Sequence, residues 1–385
     1  MSGEQRGLPG SRHSVGGASC RGALHERRGL PNQDAIRWLQ HAPGELPIVL
    51  AVADGHGSAT YFRSGVGAAC AVEVAVEVGA ELAAMSQESD LSAVKREAEE
   101  RLPERISRLW SERVERHLGE HPLTDDEQER LDTSPGAHAR DRFERDGSSA
   151  YGATLLFAIV TSRFIVFGQL GDGELLWVDS SGETSIVFES APDEVGEETA
   201  SLCMKDAARY LKIKVAPLHQ SHPPLILATT DGYKKSFVND AGFLRIGGDY
   251  LKLVRDRGVA ALADALPGFL ADATSAGSGD DITLGFIRCS EDDDRDSQLR
   301  QRDELAARVD DKADREELED LKATVEQVRC QARAVQTLAL EVTALQERVR
   351  SLEAGPRQTV TAAWLCSILV VVTCALLWFS LRNVR

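Results

Sequence analysis

The chain has 385 residues, with 61 Asp and Glu against 44 Lys and Arg and a net charge of −17. At 42% hydrophobic and 27% charged it can bury a core, which excludes wholesale disorder, and the acidic balance excludes nucleic acid, whose phosphates a binder must neutralise with Lys and Arg. Seven Cys without a CxxC spacing exclude a zinc knuckle or a disulfide framework and suit a reducing compartment.

Residues 1–14 contain no apolar run and read as a flexible tail, not a secretory signal. From residue 15 to about residue 290, short apolar runs alternate with Gly and Asp turns, the pattern of one mixed α and β domain. Strands are predicted over 35–39, 48–53, 153–160, 164–170, 174–178, 225–229 and 282–287, and helices over 59–85, 91–118 and 250–273. Gly65 and Gly67 in the first helix read as close-packing points, and the charged stretch 119–145 as a partly ordered insertion. Strands on both sides of a helical pair, with tight turns between successive strands, predict antiparallel sheets and not a βαβ repeat.

Beyond residue 290 the composition shifts. Residues 291–356 read as an acidic linker followed by a coiled coil. Leu318, Leu321, Val325, Val328, Val335, Leu338, Val342, Leu345, Val349 and Leu352 form a heptad seam, with Ala332 filling its one interruption. Self-association through this seam is expected; the alternative is a helix folded back on the domain. Residues 357–385 read as a tail anchor. The run 360–381 carries no charge, and at ~1.5 Å per residue it is long enough to cross a hydrocarbon core of ~30 Å. Arg357, Arg382 and Arg385 flank it, and Trp364 and Trp378 stand near its ends. The alternative is a buried core helix. A single-pass membrane protein with a cytoplasmic N-terminal domain is expected, given no signal peptide and this Cys usage.

Two predicted strands run directly into Asp-Gly pairs, Asp54-Gly55 and Asp231-Gly232, and Asp34 and the pair Asp280-Asp281 lie at similar strand edges. Taken singly, each acid is an ordinary turn residue. At a strand end, however, the sheet fixes the carboxylate, and a following Gly lets a ligand approach the backbone. Carboxylates clustered without Cys suit hard cations such as magnesium or manganese.

Six segments occur in a set order: Asn32-Gln33-Asp34-Ala35, Ala53-Asp54-Gly55-His56-Gly57, Tyr151-Gly152-Ala153-Thr154, Gly171-Asp172-Gly173, Ala228-Thr229-Thr230-Asp231-Gly232 and Gly279-Asp280-Asp281-Ile282-Thr283. Together they resemble the metal-dependent protein phosphatases, the PPM or type 2C serine/threonine class, over roughly residues 15–287. The His25, Gly29, Pro31-Asn32-Gln33-Asp34-Ala35 opening is similar to a bacterial branch of that family. The resemblance implies an α+β fold, a four-layer α-β-β-α sandwich of two antiparallel sheets flanked by helices. Here a coiled-coil helix and a single transmembrane helix would follow it.

The resemblance also implies two divalent cations, Mg2+ or Mn2+, between the sheet ends. Asp54 would bridge them with the Gly55 carbonyl as a further ligand, Asp231 and Asp280 would complete one site, and Asp34 would support the cluster. Which of Asp280 and Asp281 is the ligand stays open. The implied reaction is hydrolysis of phosphoserine or phosphothreonine on proteins by a bridging hydroxide, with His56 as general acid for the leaving alkoxide, reversing kinase signalling at a membrane. The chain departs from the family pattern in three places. Gln33 stands where many members carry Glu, and Gly29 stands where the substrate-phosphate Arg is usual, leaving Arg28 or Arg27 to reach the phosphate. Asp146 is the nearest acid to a further family position, but its spacing does not match and it is left unassigned. Two alternatives to the protein phosphatase are an inactive scaffold of the same fold acting through its coiled coil, and a small-phosphoester hydrolase using the same metals.

Overall fold

The computed structural model describes residues 13–58, 60–85, 90–133, 139–189, 199–218 and 222–289. The chain divides into two units, Met1–Ala306 and Ala307–Arg385, and every described residue belongs to the first. The predicted heptad seam and the predicted membrane span at 360–381 lie outside the described residues. Among the described residues no helix is long and apolar enough to cross a membrane.

Among the described residues, ten strands form two five-stranded antiparallel sheets. One sheet has the order β1 (His13–Cys20), β10 (Ile282–Cys289), β9 (Leu225–Thr229), β6 (Glu174–Val178), β7 (Thr184–Ile186). The other runs β2 (Ala35–Gln40), β3 (Ile48–Ala53), β4 (Leu155–Val160), β5 (Phe164–Leu170), β8 (Lys212–Pro217). The period of two along a strand explains the layering. Every residue of β3 is buried, yet Val49, Ala51 and Ala53 belong to the core under the helices, while Ile48, Leu50 and Val52 belong to the core between the sheets. Strand β4 divides the same way, with Leu155, Phe157 and Ile159 outward and Leu156, Ala158 and Val160 inward.

Helix α2 (Ser64–Met85) and α4 (Leu102–Glu120) cover the second sheet. Helices α8 (Asp240–Arg257) and α9 (Val259–Ala276) cover the first, through Phe243, Leu251, Leu262 and Leu266. Two antiparallel sheets flanked by helices are therefore as predicted. Gly67 packs as predicted, since a Cβ there would drive into the Tyr151 carbonyl oxygen, and Trp110 Nε1 donates to the Gly67 carbonyl at 2.9 Å. Gly65 does not: a Cβ there would meet nothing nearer than 3.5 Å.

Several elements differ from the sequence reading. Strand β1 starts at His13, two residues before the predicted domain start, and neither it, β7 nor β8 was predicted. The predicted helix 250–273 is two helices, separated at Gly258 with φ 86°. The stretch 119–145 contains α5 (Asp125–Thr133) and α6 (Ala139–Arg145). It is fastened to the base of α2, where Arg63 Nε and an Arg63 terminal nitrogen each donate to the Glu127 carboxylate at 2.7 Å.

Candidate active site

In an antiparallel pair the start of one strand lies beside the end of its neighbour. The pairing of Ala35 with Ala53 sets Asp34, just before β2, beside Asp54, just after β3. In the other sheet, Thr229 of β9 pairs with both Leu284 of β10 and Glu174 of β6. Asp231 after β9, Asp280 before β10 and Asp172 before β6 therefore collect at one end. Face-to-face packing brings the two sets together, and Thr230 Oγ1 donates across to Asp34 Oδ2 at 2.8 Å.

The local sequence holds each acid in place. The Asp54 amide donates to Thr154 Oγ1 at 2.9 Å, while its carbonyl accepts from the Thr154 amide at 2.8 Å. Gly55 bridges to Ala153, and the His56 amide donates to the Gly152 carbonyl at 3.1 Å. These contacts tie the Tyr151-Gly152-Ala153-Thr154 segment to the Asp-Gly-His-Gly loop. The His56 ring tilts against Tyr61, with centroids 4.9 Å apart. Asp231 opens α7 (Asp231–Lys234), whose Thr230 cap is in the extended conformation.

The electrostatics are those of several like charges gathered in one poorly solvated place. Burial pushes the Asp34 carboxyl up to about 8, against the lowering hydrogen bonds from Thr283 and Thr230. Burial and the charges of Asp34, Asp231 and Asp280 push Asp54 well above its ordinary value. Asp172 rises to about 6 through burial and the neighbouring Asp231, and Asp280 is raised by the same two causes.

The neighbours Asp280 and Asp281 are held differently. Asp281 is 4% exposed, and its two oxygens accept from the Gly22 amide at 2.6 Å and the Gln33 amide at 2.7 Å. Its Oδ2 also lies 2.9 Å from His25 Nδ1. Asp281 is thus a clamp holding the loop before β2, and its charge also reaches Asp34, while the charge of Asp280 reaches Asp54. Gln33 Nε2 donates to Ser64 Oγ at 2.7 Å, and its Oε1 is buried without a partner among the described residues.

Arg27 and Arg28 are exposed at the end of α1 (Ala23–Arg28). Gly29 stands in the expected Arg position because α1 ends there in a left-handed turn, φ 71°, which favours Gly. Asp146, left unassigned from the sequence, caps a short 3-10 turn through a 2.9 Å bond from the Ser148 amide. Two cluster members were missed as site residues. Asp172 had a visible signal in its Gly-Asp-Gly turn. Lys235, whose Nζ contacts Asp231 Oδ2, had none.

These donors are all carboxylate or carbonyl oxygens, and Asp34 Oδ1 and Asp231 Oδ1 are buried without hydrogen-bond partners among the described residues. Buried acceptors left without a donor, in a group of neighbouring carboxylates, fit hard divalent cations. Among the described residues no three of these side chains already stand as the ligand shell of a single ion.

Three solved structures illustrate what the chain is similar to. Mycobacterium tuberculosis PstP/Ppp is 15% identical, covering 72% of this chain and 99% of that one, with a TM-score of 0.42. Staphylococcus aureus Stp1 is 15% identical, covering 76% and 100%, with a TM-score of 0.46. RsbX, in complex with magnesium, is 14% identical, covering 72% and 96%, with a TM-score of 0.40. No curated protein matches this sequence. Residues 21–271 match the family model described as Protein phosphatase 2C. The chain belongs to the protein phosphatase 2C family.

Proposed function

We infer that this protein is a divalent-cation-dependent phosphatase acting on phosphoserine and phosphothreonine in proteins. The observation that carries the reading is the convergence of Asp34, Asp54, Asp172, Asp231 and Asp280 at one end of both sheets, with Asp34 Oδ1 and Asp231 Oδ1 buried and without a donor among the described residues. Asp54, the Gly55 carbonyl, Asp231 and Asp280 would hold two cations, Mg2+ or Mn2+. When bound, these would neutralise phosphoryl oxygens and lower the pKa of a water.

The chain's own residues orient and move protons around that centre. Thr230 holds Asp34 through its Oδ2, and Thr154 fixes the Asp54 backbone on both sides. The backbone of His56, two residues after Asp54, is anchored to Gly152, and its ring rests on Tyr61. The imidazole would donate a proton to the leaving serine or threonine oxygen. Helix α1 borders the site because the Leu24 amide donates to the Gly279 carbonyl at 2.8 Å, so Arg27 and Arg28 are the proposed contacts for substrate phosphate. Attachment to a membrane through residues 360–381, and pairing of copies through the seam at 318–352, rest on the sequence pattern.

One observation favours the inactive scaffold instead: the Lys235 ammonium already engages Asp231. Turnover by the full-length protein decides between them, measured with Mn2+ and with chelator, on a phosphothreonine peptide and on an aryl phosphate. The phosphatase reading expects Mn2+-dependent release of phosphate from both substrates. No turnover of either would contradict it, and turnover of the aryl phosphate alone would move the substrate to small phosphoesters.

A further inference from the structure

The acid cluster contains a cation of its own. Lys235 follows α7, and its Nζ forms an ion pair with Asp231 Oδ2, four residues back and so on the same helical face. The charge of the same ammonium also acts on Asp172 and Asp280, whose carboxyls burial and Asp231 keep raised overall. The two partners of the ion pair are held very differently. Asp231 is 6% exposed, and its Oδ1 is buried without a hydrogen-bond partner among the described residues. The Lys235 side chain is 56% exposed, on a four-carbon stem that can swing into solvent. The carboxylate is fixed by the fold, whereas the ammonium can leave.

We propose that Lys235 is a built-in competitor of the divalent cation for Asp231: it holds that carboxylate in the cation-free protein and yields it as a cation binds. Lys235 then sets how tightly the Asp172–Asp231–Asp280 side of the site holds its cation. This rests on the reading that the acids bind divalent cations. The exchange is physically reasonable because a half-exposed ion pair is weak, whereas a dication bound by fixed carboxylates is not. Until the exchange, one ammonium offsets part of the repulsion among the five acids. After it, the same charge still opposes the incoming cation from nearby.

The test reads cation binding without substrate. Free Mn2+ would be titrated by its electron paramagnetic resonance signal against the full-length protein and the variants Lys235→Met, Lys235→Gln and Lys235→Arg. Loss of the charge is expected to tighten Mn2+ binding about five- to tenfold, the combined effect of a released exposed ion pair and a removed like charge. Lys235→Arg is expected to stay within about twofold of the parent, since it keeps the charge. The cation-free Met and Gln variants are expected to melt at lower temperature, having lost their counter-charge. A second measurement needs no variant: acetylation of Lys235 in the parent protein, followed by peptide mass spectrometry, is expected to accelerate when Mn2+ is added. Unchanged Mn2+ affinity in the uncharged variants, or Lys235 acetylation indifferent to Mn2+ in a protein that binds it, would overturn the competition alone. Failure of every form to bind Mn2+ would overturn the metal-site reading and the competition with it.

Discussion

Gly65 and Gly67 are two residues apart on α2 and have identical sequence signatures, but their surroundings differ. An Ala at position 67 meets the Tyr151 carbonyl, which belongs to the segment that positions the Asp54 loop. Gly67→Ala is expected to lower stability by about 3 kcal/mol, because backbone must move to admit the methyl. Gly65→Ala meets only ordinary contacts and is expected to be neutral or stabilising by up to about 0.5 kcal/mol, through helix propensity. Urea unfolding of both variants checks the contrast, and equal midpoints would contradict it. The same limit governs how much of the site could be read from the sequence. Asp34, Asp54, Asp231 and the pair Asp280-Asp281 were legible because an apolar strand adjoining an acid advertises where the sheet ends, though that signal does not choose within the pair. Asp172 was half legible, as a turn whose destination depends on which strands pair. Lys235 was illegible, since no local pattern separates a lysine that turns back one helical turn from one that points to water.

Whole elements were missed where composition and packing conflict. Strand β1 contains Gly16 and Gly17, which dilute any β signal. The structure needs them: a Cβ on Gly16 would lie 2.7 Å from the Phe286 ring, and one on Gly17 2.6 Å from the Leu284 carbonyl oxygen. Strand β8 was hidden by its alternation of Lys with apolar residues at an edge. Helix α5 was hidden by its charge, and a long-range pair helps fix its place. Glu127 is 18% exposed and Arg63 7%, and the Arg63 hydrogen bond holds the Glu127 carboxyl down at about 2, below its ordinary 4.5. Arg63 also donates to Tyr151 Oη at 2.8 Å, so the pair links α5 to the segment beneath the Asp54 loop. A depressed folded-state pKa contributes stability above pH 4.5 that is lost as the pH falls through about 2. Glu127→Gln is therefore expected to lower the melting temperature at pH 7 by about 4 °C or more, with the gap to the parent closing as the solution is acidified below pH 4.5. Thermal melts of both proteins across that range check it. A gap that stays constant with pH would show that the carboxylate charge is not what holds α5.

At the scale of the molecule, three apolar cores set the site's geometry: one under each helical layer and one between the sheets. The middle core is why acids from both sheets can meet, because it fixes how the two strand-end sets face each other. The layering was foretold by the resemblance that the six ordered motifs carry, but strand neighbours were not, because they are set by long-range pairing. Beyond the described residues, deletion after Pro356 is expected to release the chain from membranes on centrifugation, while it stays self-associated through the seam. Leu321→Asp with Leu345→Asp is expected to separate it into monomers by sedimentation; a truncated but otherwise unaltered chain that sediments as a monomer would contradict a homotypic coiled coil. The central claim is that the clustered acids exist to hold divalent cations for phosphoester hydrolysis, and each of Asp54 and Asp231 is placed to be indispensable to that. The most direct measurement is phosphopeptide turnover at saturating Mn2+ by full-length Asp54→Asn and Asp231→Asn, each checked for an intact fold by circular dichroism. The account expects each variant to fall at least about 100-fold below the parent, the loss of one main electrostatic contribution to the reaction. Turnover near the parent's level in either folded variant would contradict it.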